Sequence, residues 1–90
     1  MGSHTAHWED EENNRIVELS VRYQLDGSDL EIVSVTPASV TFVQEESRQP
    51  VRRIGIHTAK GREFLLRQFE LFVGLDWLQQ NVAAAVLAAV

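Results

Sequence analysis

The chain has 90 residues, of which 44% are hydrophobic and 23% charged, and this composition is typical of one small globular domain. It contains no cysteine, which excludes disulfide bonds and every thiolate metal site or nucleophile, and which leads us to expect a reducing, cytoplasmic location. The formal net charge of −5 is unevenly distributed, because residues 9–12 are all acidic whereas residues 48–67 contain six of the eight basic residues. No segment reaches the ~20 apolar residues of a membrane-spanning helix, so we expect no membrane partner.

The first fourteen residues are polar and show no periodicity. Residues 1–4 have the composition of a vector-derived segment, and residues 9–12 add a run of like charge. Low hydrophobicity and clustered charge predict that residues 1–14 form a disordered acidic tail, in which Trp8 is the exception. The remaining residues, 15–90, are predicted to form one domain.

An alternation of apolar and polar residues begins after this tail. From Val17 to Leu25 it predicts a half-buried strand, and residues 26–29 (DGSD) predict a hairpin turn, because Asp-Gly readily adopts positive φ. Pro37 predicts a further turn, since proline cannot donate a hydrogen bond to a strand ladder. The other predicted strands cover residues 30–36, 40–43 and 51–57. Their short connections indicate an antiparallel meander.

The spacing then becomes helical. The Thr58 hydroxyl can cap the start of a helix, and Gly74 readily adopts the left-handed backbone that ends one. We therefore expect one helix over about 59–73 and a second from about 76 to 90. Leu65, Phe69 and Phe72 form the apolar side of the first helix. The predicted fold is therefore an α+β domain in which two C-terminal helices pack on one face of a four-stranded antiparallel meander (β-β-β-β-α-α).

The end of the second predicted helix carries the leading functional hypothesis. Residues 82–90, VAAAVLAAV, are apolar on every side, and such a helix is normally buried. Either the rest of the domain covers it in a monomer, or a partner protein does. We expect a small non-enzymatic interaction or accessory module that self-associates, as a homodimer or other homo-oligomer. The predicted contact residues are Trp77, Val82, Val86, Leu87 and Val90.

The basic segment 48–67 supports an alternative of another class. The first turn of a helix presents amides that suit an anion, and nearby positive charge would strengthen such a site. Nucleic-acid or phosphate-ligand binding is therefore predicted through Arg53, His57, Lys60 and Arg62, against the simpler interpretation of a solvated surface. The glycine spacing does not match a phosphate-binding loop. The aromatic residues that base stacking needs all have core spacing: Tyr23, Phe42, Phe64, Phe69 and Phe72.

No set of residues predicts catalysis. The serines lack the context of an activated nucleophile, and the pair Glu45 and Glu46 lies in a polar loop. His4 and His7 have metal-compatible spacing but fall in the tail. Strand alternation predicts that Arg53 and His57 share the open face of the sheet with Glu18, the only neighbour that we expect for His57. We therefore expect no enzymatic activity, no metal and no cofactor.

Overall fold

The computed structural model describes residues 2–27 and 29–88. The strands are β1 (Gly2–Asp10), β2 (Arg15–Asp26), β3 (Asp29–Val43) and β4 (Pro50–Gly55), and the helices are α1 (Ala59–Phe72) and α2 (Leu75–Ala88). One turn of 3₁₀ helix, Glu11–Asn13, connects β1 to β2. The strands form a single antiparallel sheet in the order β1-β2-β3-β4. The predicted α+β class, the four-stranded meander and the C-terminal helix pair are therefore confirmed.

The first strand of this sheet comes from the segment that was expected to be disordered. Nine residue pairs align β1 with β2, from Gly2 opposite Tyr23 to Asp10 opposite Arg15. Trp8 is only 5% exposed, and Ala6, two positions earlier, is buried beside it. The prediction of a disordered tail is wrong for Gly2–Asp10, because one tryptophan and one alanine at strand spacing bury enough surface to order an otherwise polar segment.

The turn predicted at Pro37 is also wrong, because β3 continues through this residue. Pro37 lies opposite Leu19 whereas Ser39 lies opposite Glu18, which leaves Ala38 as the extra residue of a β-bulge. Strand β4 pairs with β3 only from residue 39 to residue 43, so the missing amide hydrogen of proline falls where β3 is an edge strand. The predicted strands 30–36 and 40–43 are one strand.

One face of the sheet packs against both helices. Phe69 of α1 is fully buried at the centre of this layer, and the rings of Trp8 and Trp77 meet it edge-on, with centroid distances of 5.7 and 6.0 Å. The core consists of these rings and of aliphatic side chains from β2, β3 and both helices: Val17, Leu19, Val21, Leu30, Val40, Leu65, Leu78 and Val82. The opposite face of the sheet is open.

The helix ends follow the expected capping chemistry. The Thr58 hydroxyl accepts a hydrogen bond of 3.0 Å from the Gly61 amide, as predicted for an N-cap. Gly74, with φ of 95°, lies at the corner between α1 and α2, where left-handed backbone favours glycine. Among the described residues no single helix has the length and hydropathy of a membrane span; α1 and α2 meet that criterion only jointly, across a bend of 93°.

Candidate interaction surfaces

Helix α2 buries part of the surface that the sequence predicted as a protein contact. Val82 is 0% exposed, and Val86 packs partly buried against the core. The Trp77 ring packs on Phe69, and α2 contacts both β1 and β3. Of the predicted contact residues, Leu87 is exposed, at 42%, and Val90 lies outside the described residues; Leu75, at the start of α2, is 49% exposed. Val82 and Trp77 therefore stabilise their own domain. Part of α2 is buried because it packs against β1, a strand that the sequence did not predict.

Large apolar side chains are instead exposed on α1. Leu71 is 80% exposed and Phe64 is 61% exposed. These two residues are seven positions apart, so they lie on the same flank of the helix, beside the buried stripe that contains Leu65 and Phe69. The sequence placed them at the margin of the core, and the structure leaves them in solvent. We call this surface, Phe64 and Leu71, the α1 flank.

The charges of α1 oppose its own dipole. Its first turn contains Lys60 and Arg62 and no acidic residue, and its last turn contains Glu70 and no basic residue. Each such charge at an exposed helix end lowers the stability of the fold by roughly 0.3–1 kcal/mol. The middle of the helix is balanced by the pair of Arg67 and Glu63, at 2.9 Å. The helix thus has a basic start and an acidic end.

The open face of the sheet carries a connected polar cluster around Glu18. Its Oε2 accepts a hydrogen bond of 2.7 Å from the Ser39 hydroxyl and one of 2.9 Å from the Arg53 guanidinium. His7 lies 3.9 Å from the other carboxylate oxygen. The hydrogen bond from Ser39, helped by Arg53, holds the pKa of Glu18 below its ordinary value, although partial burial opposes this shift. Because its pKa is lowered, Glu18 is a weak base, so the hydrogen bond from the buried Ser39 hydroxyl stabilises the carboxylate.

The four residues of the predicted anion site come from two parts of the fold. Arg53 and His57 lie on the open face, because the intervening alternation turns Ile54 toward the helices. Lys60 and Arg62 belong to α1, on the other side of the sheet. Arg53 is also paired with Glu18, and the His57 ring folds back over Gly55, where a Cβ would come within 2.8 Å of its Nε2. The predicted basic site therefore combines two residues at β4 and its end, Arg53 and His57, with two residues of the first turn of α1.

A cleft that the sequence did not predict lies between the 3₁₀ turn and the corner that joins α1 to α2. Its volume is about 610 Å³. Apolar walls come from Trp8, Phe72 and Trp77, and the acidic residues of 9–12 surround them. Phe72, which helical spacing assigned to the core, is 69% exposed because the last turn of α1 borders this cleft instead of the sheet. The signal available in the sequence was a lone tryptophan directly before an acidic run.

Within residues 2–27 and 29–88, no three His, Asp or Glu side chains are gathered closely enough to hold an ion. No protein-family model, curated protein or solved structure is significantly similar to this chain, and its function is therefore inferred from its own geometry.

Proposed function

We propose that this protein is a non-enzymatic interaction module that self-associates by packing the α1 flank against the α1 flank of a second copy. The observation that carries the proposal is the exposure of Leu71 and Phe64 on one side of a helix whose other side is buried. Fully burying a side chain of this kind contributes about 1.5–3 kcal/mol. Two copies of the flank would bury four such side chains.

The charges of α1 favour an antiparallel arrangement about a two-fold axis. In that arrangement Phe64 of one copy lies opposite Leu71 of the other, and the basic first turn of each helix lies opposite the acidic last turn of its neighbour. Lys60, which lies about 40° from Phe64 around the helix, then approaches Glu70 of the second copy, which offsets the unfavourable placement of both charges on their own helix dipoles. A two-fold contact of this kind is closed, so it yields a dimer and not a fibre.

Sedimentation analysis of three matched variants tests this proposal. We expect the wild type to dimerise between ~1 and ~100 μM and Leu71→Asp to be a folded monomer by circular dichroism, because a buried carboxylate in the contact is strongly unfavourable. Val51→Asp places the same charge at an exposed apolar residue of β4 and should leave the dimer intact. Leu87→Asp tests the α2 surface predicted from sequence and should also remain dimeric.

A wild type that remains monomeric throughout this range would exclude self-association. If Leu87→Asp dissociates the dimer while Leu71→Asp does not, the contact belongs to α2.

Nucleic-acid or phosphate binding through Arg53, His57, Lys60 and Arg62 has less support. The sheet separates the two pairs of residues, and Glu18 already neutralises Arg53. Phosphate contacts would make binding fall steeply with salt concentration, so a salt titration of a labelled oligonucleotide distinguishes this alternative from a protein contact.

A further inference from the structure

The cleft between the 3₁₀ turn and the α1–α2 corner is separate from the α1 flank. Its volume of about 610 Å³ falls within the range of roughly 300–1,000 Å³ typical of ligand sites. Phe72 faces this cleft, whereas Leu71, the next residue, lies on the flank about 100° away around the helix. An occupant of the cleft would therefore not need to displace a partner from the flank.

The aromatic walls of the cleft are held in place by the core. Trp8 and Trp77 both pack edge-on against the fully buried Phe69, so their rings are fixed relative to each other. Phe72 and Val73 complete the apolar lining. A rigid aromatic surface binds a ligand with little loss of its own conformational entropy.

The acidic rim is uncompensated. Among the described residues, Glu9, Glu11 and Glu12 take part in none of the ion pairs, whereas Asp10 is engaged by Arg15 at 2.8 Å. The adjacent carboxylates of Glu11 and Glu12, without cationic partners, repel each other, and a cationic occupant would relieve this repulsion. The acidic rim therefore favours a positively charged occupant, and its residues are not those that form the apolar walls.

The chain itself contains a cation that contacts both an aromatic ring and a carboxylate. The Arg15 guanidinium lies 5.6 Å from the centroid of the Trp8 ring and is held by the Asp10 carboxylate. A cation between an aromatic face and a carboxylate is stabilised by both. Trp77 and Phe72, with the carboxylates of Glu11 and Glu12, offer an incoming cation the same two kinds of partner.

We propose that this cleft binds a basic peptide segment, with an arginine or lysine side chain against Phe72 and Trp77 and its charge toward the acidic rim. A peptide fits better than an inorganic cation, because the long aliphatic stem of such a side chain covers apolar surface while its charged end reaches the carboxylates. The proposal does not depend on self-association, since it uses other residues.

Both tryptophans of the chain line the cleft, so intrinsic tryptophan fluorescence reports on this site. We expect a tetra-arginine peptide to change this fluorescence with saturation, and Glu11→Gln/Glu12→Gln to weaken binding about tenfold. The matched control is Glu45→Gln/Glu46→Gln, which removes the same net charge from the exposed β3–β4 loop and should leave the affinity unchanged. The amide chemical shifts of residues 11–13 provide a second readout.

A second pair of variants tests the aromatic wall. Phe72→Ala should weaken tetra-arginine binding about three- to fivefold, because a cation–π contact is lost, whereas Phe64→Ala removes an equally exposed ring from the α1 flank and should not. Equal effects of the two glutamine pairs would show a general attraction to a negative protein and would overturn the proposal. The absence of saturable binding by both readouts at millimolar peptide would overturn it as well.

Discussion

Glu18 is the residue whose surroundings most clearly alter its titration. Ser39 is the main cause of its lowered pKa, followed by the hydrogen bond and positive charge of Arg53, and desolvation opposes them. A carboxyl whose pKa is lower in the folded state than its ordinary value of 4.5 contributes stability above that value. This contribution is lost as the pH falls through the lower, folded-state pKa.

We therefore predict that Glu18→Gln is less stable than the wild type at neutral pH and that the difference shrinks below about pH 4.5. Urea denaturation at a series of pH values measures the free energy of unfolding of both proteins. Ser39→Ala removes the principal hydrogen-bond donor to Glu18. Like Glu18→Gln, it should make the free energy of unfolding fall less as the pH is lowered. A difference that stays constant down to about pH 2.5 would contradict this account.

At the scale of single residues, the sequence predicted some placements well. Alternation along the strands put Arg53 and Glu18 on the same open face, and the structure brings them to 2.9 Å. It could not predict that His7, and not His57, would be the histidine beside Glu18, because His7 belongs to a strand that was taken for a tail.

Among the elements, β1 is the one whose role differs most from expectation. Trp8 anchors it through contact with Phe69, so Trp8→Ala should lower the free energy of unfolding by about 3–5 kcal/mol. The adjacent His7→Ala is the control: His7 faces the open side of the sheet and its loss should cost less than about 0.5 kcal/mol. Chemical denaturation followed by circular dichroism measures both values. Equal, small losses would mean that residues 2–10 contribute no fold stability.

The errors in β1 and β3 have different physical origins. Local hydrophobicity failed for β1, because the stabilising surface of Trp8 comes from the helix layer, which is distant in sequence. Local backbone chemistry failed at Pro37, because the bulge at Ala38 and the shortness of β4 remove the need for its amide hydrogen. The hairpin turn and the helix cap were predictable, since Gly27 (φ of 64°) and Thr58 depend only on neighbouring residues.

At the scale of the whole molecule, the helix pattern and the short connections sufficed to predict the architecture, but not which apolar residues remain exposed. With β1 in the sheet, Leu78 and Val82 of α2 are buried in the core, and the most exposed apolar side chains are those of Leu71 and Phe72 on α1. The sequence predicted exposed apolar surface on α2, where Leu75 and Leu87 are exposed, but not the larger exposure of Leu71 and Phe64 on α1. Which side chains of a helix are buried depends on all the elements that pack against it, so it cannot be predicted from the sequence pattern of that helix alone.

A dimer formed through the α1 flank would also govern the stability of the whole molecule. A domain this small buries a limited fraction of its surface, so subunit contact would supply a substantial share of its stability. Binding between folded copies stabilises them by mass action, which makes the melting temperature rise with protein concentration. We predict a rise of several degrees across a hundredfold change in concentration, roughly 4–8 °C for each kcal/mol gained.

Differential scanning fluorimetry of the wild type and of two variants measures this concentration dependence. Leu71→Asp should melt at the same temperature at every concentration, because it lacks the contact, whereas Val51→Asp should keep the wild-type dependence. Since Leu71 is 80% exposed, its replacement costs the isolated domain little, and the two variants should converge at high dilution. If instead the wild type melts independently of concentration, the exposed side chains of α1 do not join copies of this chain.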